Sequence, residues 1–335
     1  SEPILTQVPF RMGSTVHDLL DRLQPDVVAV KGDFPLDQNV IAALPKGTRV
    51  LSSERSGTSA WTVTTRITAE LADGTPTRYF IKCATGDRGR LMMEGEYASM
   101  SEIYKVMPDF VPMPYSWGRY QNDEIYFFLS EFIDMSDRVP DPNQLCSKLA
   151  QLHRSSTSPT GAFGLHVTSC QGRIPQHVGW EKSWTTFFTK LLKHVTDLDF
   201  ETNGHWDELD QLEKRLISHV IPRLIGNLER EGRSVKPCLI HGDLWEGNTG
   251  TSYETGDVYV FDSGAYYAHN EMEIGDWRCN YNKIHNKVYT ETYLRHYAPS
   301  EPKEEWDDRN RMYCIYFNVI YSVNHMSQGT GVRQQ

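Results

Sequence analysis

The sequence predicts an α+β protein of two lobes, a strand-rich first part with one helix followed by a mainly helical second part. Three observations carry that expectation. From Thr48 to about Ser130, β-branched and aromatic residues alternate with polar ones, the period of a half-buried strand. From Asp141 onward, apolar residues recur at helical spacing, as in Leu145, Leu149 and Leu152. The chain has 335 residues, enough to fill two cores. The lobes are placed at 1–131 and 132–335, and a cleft where two lobes meet is a favoured place for a ligand.

In chain order, 48–51 reads as a first strand and 61–68 (WTVTTRIT) as a second, with 53–59 a loop between them. Asp73-Gly74 marks a turn into a third strand at 79–82. A helix is expected over 91–105, then a loop punctuated by Pro108, Pro112 and Pro114. A hairpin follows at 115–120 and 126–129, with Asn122-Asp123 near its tip. Asp141-Pro142 is an N-cap followed by proline at the first helical position. Trp184, Phe187, Phe188, Leu191 and Leu192 mark a second buried helix, with Trp180 and Trp184 as packing residues. Leu209, Leu212, Leu216, Val220 and Leu224 mark a third, interrupted or ended near Pro222. A last helix is expected over 311–326. There is no internal repeat and no low-complexity tract.

Composition narrows the function classes. Hydrophobic residues make up 39% and charged ones 23%, a globular mixture. The net charge of -10, with no Lys/Arg run, would repel nucleic acid. No stretch approaches the roughly 20 apolar residues of a membrane helix. The first ten residues, SEPILTQVPF, lack a basic region followed by an apolar one, so no signal peptide is expected. Six cysteines are scattered without CxxC spacing, which reads as reduced thiols in a cytoplasmic protein.

The chemistry concentrates in LIHGDLWEGN, 239–248. Phosphoryl transfer asks for metal ions on the phosphates, a cation beside them and an acceptor for the nucleophile's proton. Mg2+ prefers hard oxygen ligands and keeps several waters, so a carboxylate and an amide suffice. Asp243, Asn248 and Asp262 supply such a set, with Asp243 as base and Asn248 and Asp262 as metal ligands. Asp262 directly follows a short strand at 258–261, and pairing of that strand with 239–240 would return it to the loop. Asp, Gly and Asn are also ordinary turn residues, but the joint pattern favours the chemical reading. Lys82 ends an apolar strand and would hold the nucleotide's phosphates. Glu96 shares the apolar face of Met100 and Ile103 and is the preferred partner for Lys82, with Glu94 the alternative. Ser56, Gly57 and Thr58 lie where a phosphate-covering loop belongs. Adenine should meet backbone groups at Ser130, Glu131 and Phe132.

These stretches closely resemble the fructosamine-3-kinase (ketosamine-3-kinase) family, especially its fungal members. HGDLWEGN and VFDSGAYYAHNEMEIGDWR carry the likeness most strongly, supported by FIKCATGDRGRLMMEGEYASMSEIY, DFVPMPYSWGRY, SPTGAFGLHV and GWEKSWTTFF. It covers nearly all of 48 to about 323. The resemblance implies a protein-kinase-like, aminoglycoside-phosphotransferase-like fold. It implies ATP and Mg2+ as cofactors and phosphorylation of the 3-hydroxyl of a ketosamine, on a glycated protein or small amine, whose phosphorylated adduct then falls apart. By position, Asp243 resembles the family's base, Asn248 and Asp262 its metal ligands, and Lys82 with Glu96 its ion pair.

For the acceptor, Trp245 offers a stacking wall, or else packs beneath the loop. Tyr267, His269 and Glu271 follow the metal aspartate and are expected to line the pocket. Glu246 and Glu271 are the acids expected to hold a cationic amine. His241 is expected to prop the loop, and Asp276 and Trp277 to belong to the helical core. Two rival readings are a kinase for another amino-alcohol or aminoglycoside-like metabolite and a nucleotide-binding pseudokinase. The intact five-residue set argues against the second. The absence of HRD, DFG and APE motifs argues against a protein kinase.

Overall fold

The structure is a computed structural model that describes residues 30–59, 61–121 and 124–325. The first ten residues, the Asn122-Asp123 tip and Met326 at the end of the expected last helix lie outside the described residues.

The first lobe is built on an antiparallel sheet in the order β1-β2-β3-β5-β4, from β1 (Arg49–Thr58), β2 (Val63–Glu70), β3 (Pro76–Thr85), β4 (Pro114–Arg119) and β5 (Ile125–Glu131). The largest departure from the sequence reading is β1. Residues 53–58 are strand rather than loop, because Ser53 pairs with Ile67, Arg55 with Thr65 and Thr58 with Val63. Cross-strand hydrogen bonds satisfy the backbone there, and the polar side chains suit a strand near the sheet edge. A bulge between Arg55 and Gly57 kinks the strand. The connection shrinks to a tight turn in which Ser59 Oγ accepts from the N–H of Trp61 at 3.1 Å and of Thr62 at 3.0 Å. A short helix α1 (Gln38–Ala43), capped by Asp37, precedes the sheet where the sequence reading placed nothing.

Helix α2 (Gly86–Val106) begins five residues before the expected start. It buries Met93, Glu96, Met100 and Ile103, the spacing of one face. That face meets the second lobe as well as the sheet. Met93 and Ile103 share an apolar cluster with Leu149, Leu239 and Trp277, so the helix ties the lobes together. A separate cluster containing Ile67, Tyr79, Ile81 and Leu129 fills the outer side of the sheet. Each such side chain contributes about 1.5–3 kcal/mol when fully buried.

The second lobe contains α3 (Pro142–Ser155), capped by Asp141 Oδ1 accepting from Gln144 N at 2.8 Å. Helix α4 (Trp184–Asn203) buries Trp184, Phe187, Phe188, Leu191 and Leu192 as the pattern requires. The third expected helix is α5 (Asp207–Arg215), a π turn at Leu216–Val220 and α6 (Ile221–Leu224), with Pro222 in the first turn of α6. Leu212, expected in its apolar face, is 48% exposed, and Glu213 is buried instead. The π turn rotates the face, so one helical period cannot serve both halves. Among the described residues, the remaining α-helices are α7 (Asn270–Glu273), α8 (Lys287–His296) and α9 (Trp306–Asn324).

Short strands organise the floor of the cleft: β6 (Met135–Ser136), the hairpin β7 (Cys170–Gln171) and β8 (Ile174–Pro175), and then β9 (Cys238–Ile240), β10 (Thr249–Ser252), β11 (Val258–Val260) and β12 (Tyr266–Ala268). The strands on either side of the loop do not pair with each other. β9 pairs with β12, and β11 pairs with β10, which leads out of the loop. Asp262 still returns to the loop, by a different route: Thr249 faces Val260, and Phe261 N donates to Asn248 O at 3.0 Å. Among the described residues, no helix is long and apolar enough to cross a membrane.

Candidate active site

The loop after β9 is held from beneath. The N–H groups of His241 and Gly242 donate to the two oxygens of buried Glu273, at 2.6 and 3.0 Å. Glu273 also meets His153 Nε2 at 3.3 Å, and His153 and His241 keep its carboxyl below the usual glutamate range although burial opposes this. His241 Nδ1 accepts from Asp243 N at 3.2 Å, and its Nε2 donates to Phe261 O at 2.7 Å. Burial holds the imidazole pKa down, so His241 is neutral and props the loop against the strand carrying Asp262. Trp277 Nε1 donates to Leu244 O at 3.0 Å. Gly242 has φ +84°, and a Cβ there would lie 2.1 Å from Gly264 O, so the position requires glycine.

Asp243 sits on this platform. Its Oδ1 accepts from Gln171 Nε2 at 3.0 Å and its Oδ2 from Asn248 Nδ2 at 3.2 Å. Burial outweighs both bonds and pushes its pKa up to about 7. Because Asn248 spends its Nδ2 on Asp243, its Oδ1 is the atom left for a cation. Asp262 has φ +54°, an uncommon conformation for a non-glycine residue and one that clusters at functional sites. Its Oδ1 accepts from Lys82 Nζ at 2.5 Å. Lys82 Nζ also donates to both oxygens of Glu96, at 2.9 and 2.8 Å. Burial alone would lower the Lys82 pKa, but Asp262 and Glu96 together hold it above the ordinary lysine value. Glu94 instead lies 3.7 Å from Arg90 on its own helix.

These groups line a cleft of about 1030 Å3 between the lobes. Ser56 and Gly57 face it from β1, and Ser59, Trp61 and Thr62 from the turn that follows. Glu131 and Phe132 line it too, but their N–H groups are engaged, with Met113 O at 2.8 Å and Arg78 O at 3.4 Å. The hinge amides at those two positions are therefore already engaged, and Glu131 O itself accepts from Ser130 Oγ at 3.2 Å. A second cavity of about 270 Å3 adjoins the first and shares Asp243, Trp245 and Trp61 with it. Trp245 is 39% exposed, its ring covering Gly247, where a Cβ would come within 2.2 Å of the indole.

Three expected acceptor residues are elsewhere. Tyr267 is buried, donates to Glu102 Oε2 at 3.3 Å and stacks on Trp180. His269 is locked between Tyr313 and Ser300, both at 2.8 Å, and burial pushes its pKa down to about 4. Glu271 is 1% exposed and pairs with Arg309, with Arg309 Nε donating at 2.7 Å. The reason is topological: β12 leads away from the cleft, so the residues after it enter the second lobe's core. Glu246 does line the large cleft, and its Oε2 accepts from Lys283 N at 2.8 Å. The sequence reading missed Gln171, Glu273, Trp61 and the cavity-lining aromatics Tyr281, Tyr321 and His325. Asp276, read as core, is buried but also borders the second cavity.

The residues suit Mg2+, since an amide oxygen and a carboxylate flank the cleft and the remaining positions of an octahedral shell are ordinarily water and phosphate. A strand-built lobe with a buried Lys–Glu pair, over a helical lobe with an acid-bearing loop, defines a phosphotransferase of the kinase-like class. A family model for fructosamine kinase matches residues 53–332. The chain belongs to the fructosamine kinase family. It is 30% identical over 258 residues to protein-ribulosamine 3-kinase, chloroplastic, of Oryza sativa subsp. japonica, covering 76% of this chain and 69% of the relative. Solved structures support the fold. A Haemophilus somnus 129PT protein assigned as a fructosamine-3-kinase superposes with TM-score 0.66 at 20% identity, over 84% of this chain and 86% of that one. Aminoglycoside phosphotransferase APH(4)-Ia, in a ternary complex with AMP-PNP and hygromycin B, superposes with TM-score 0.57 at 13% identity, over 84% and 89%.

Proposed function

We propose that the protein is an ATP-dependent kinase that phosphorylates the 3-hydroxyl of ketosamines, with the lobes divided at Glu131. The observation that carries this reading is the position of Asp243, which borders both the large cleft and the smaller cavity. A nucleotide in the first and an acceptor in the second would meet at its carboxylate. Family membership and the named reaction of the rice relative supply the acceptor class.

Each residue then has a task. Asp243 takes the acceptor hydroxyl's proton as the oxygen attacks phosphorus, and a pKa of about 7 suits a base working near neutrality. Lys82, oriented by Glu96, places its ammonium against the nucleotide's phosphates. Asn248 Oδ1 and Asp262 would hold Mg2+, which supplies charge neutralisation on the phosphates when bound. Ser56, Gly57 and Thr58 cover the phosphates from a strand end rather than a glycine-rich loop. Adenine lies against the hinge at Ser130, Glu131 and Phe132, and Trp245 supplies a flat wall for the sugar. All six cysteines are free thiols, which suits a reducing compartment, and we assign the protein to the cytoplasm.

The test is ATP turnover against ribulosamines, fructosamines and aminoglycosides, with NMR location of the phosphate. Phosphate on the sugar 3-hydroxyl of a ribulosamine or fructosamine is the expected result. Turnover confined to aminoglycosides or other amino alcohols would overturn the ketosamine assignment.

A further inference from the structure

The smaller cavity contains an acid that no described side chain neutralises. Asp276 is 4% exposed and, among the described residues, forms no ion pair. Its Oδ1 accepts one bond from Asn282 Nδ2 at 3.2 Å, and that amide also donates to Asp276 O at 2.9 Å. Buried charges are ordinarily paired, because desolvating them alone is costly. Arg278, the cation nearest in sequence, is occupied by Asp307 at 2.7 Å and Asn310 at 3.1 Å. Among the described residues, no Lys or Arg borders the cavity. Burial, reinforced by Asp243, raises the Asp276 pKa well above the carboxylate range, as expected of an acid awaiting a counter-charge.

A second observation on the same cavity is independent of the acids. Gln171 is 7% exposed and spends its Nε2 on Asp243, while its buried Oε1 has no hydrogen-bond partner. Such an orphan acceptor is costly unless a donor reaches it. The remaining wall is aromatic. Tyr281 stacks on Tyr321 at 4.3 Å between centroids, Tyr321 on His325 at 4.0 Å, and Trp61 meets His325 edge-on at 6.3 Å. Aromatic rings beside a carboxyl form a setting that attracts an alkylammonium and its CH2 groups.

We propose that this cavity is the subsite for the acceptor's amine, and that Asp276 is the specificity-determining residue that holds its ammonium while the neighbouring hydroxyl faces Asp243. The proposal rests on the kinase reading above and puts Asp276 in place of Glu271, which pairs with Arg309, and of Glu246, which lines the larger cleft rather than this cavity. Neutral N-acylated ketosamines forgo the ion pair, and anionic sugar phosphates meet two acids.

The full chain is assayed with a ribulosamine of a small alkylamine and with its N-acetyl analogue. The wild type should prefer the amine by about tenfold or more in kcat/KM. Asp276→Asn keeps an oxygen for Asn282 and should bring the two acceptors within about threefold, through a raised KM for the amine, with KM for ATP unchanged. A wild type that treats both alike, or a variant that keeps the full preference, overturns the proposal while leaving the kinase reading intact. Absence of phosphate on either acceptor would overturn the kinase reading itself. If Asp276→Asn does not fold, Tyr321→Leu takes its place: KM for the amine should rise about two- to fivefold with KM for ATP unchanged, and an unchanged KM for the amine overturns the proposal.

Discussion

Asp243 is pulled two ways: hydrogen bonds from Gln171 and Asn248 favour its charged form, and burial disfavours it more, leaving the pKa at about 7. In the proposed base role it works deprotonated. Its raised pKa means that the proton is held below about pH 7, so kcat/KM should fall as pH drops through that value. Asp243→Asn should remove this acid limb and lower kcat by roughly 10²–10⁴-fold, with calorimetric ATP affinity near the wild type's. An unchanged profile would take the base role from Asp243. At this scale the sequence was readable wherever chemistry restricts residue type. A carboxylate and an amide five positions apart, or a lysine ending an apolar strand, have few uses together. It was unreadable wherever nearness in sequence stood in for nearness in space. Glu271 follows Asp262 by nine positions, yet its partner is Arg309, 38 residues further on. Gln171 and Asp276 carry no local signal at all, since a turn glutamine and a buried aspartate gain meaning only from the cavity between them.

At the scale of elements, the loop between β9 and β10 keeps its shape through Glu273 on α7. One carboxylate accepts two consecutive backbone N–H groups and faces His153, all out of reach of water. Glu273→Gln retains one acceptor oxygen but turns an NH2 toward a backbone donor. It should cost about 1–3 kcal/mol of stability in urea titration and lower kcat more than it alters KM for ATP. Wild-type stability and turnover would show that the loop holds itself. The elements proposed to hold the metal permit a separate check. Asn248→Ala and Asp262→Ala should each weaken Mg-ATP binding, with added Mg2+ partly rescuing Asn248→Ala by mass action. Identical calorimetric affinities for both variants and the parent would remove them as ligands. Helices were legible from their caps and periods, as at Asp141-Pro142 and Trp184–Leu192. Strand partners were not. A three-residue strand such as β9 is apolar throughout and contains nothing that distinguishes β12 from β11 as its neighbour. Residues 53–58 read as a loop because their strand character comes from pairing with β2 and not from their own composition.

For the whole molecule, Lys82 is where three parts of the chain meet: β3 carries it, α2 carries Glu96, and the turn after β11 carries Asp262. The two-lobed order followed from the change in periodicity near residue 131, but this junction joins positions 180 residues apart and has no signature in either half. On the proposed reading, nucleotide binding and lobe alignment share one cation. Lys82→Met removes the charge that separates two carboxylates and the group proposed to meet the phosphates. Glu96, whose pKa burial already raises to about 7, can relieve the repulsion by taking up a proton, so the apo protein should still fold. What should disappear is the response to ligand. A protein that binds Mg-ATP only when folded gains about 2.7 kcal/mol at one hundred times Kd, read as a rise in Tm. At the concentration that gives this rise in the wild type, Lys82→Met should show almost none, and turnover should fall with it. A variant that kept the full rise in Tm would bind its nucleotide without Lys82, and the link between the ion pair and the phosphates would have to be abandoned.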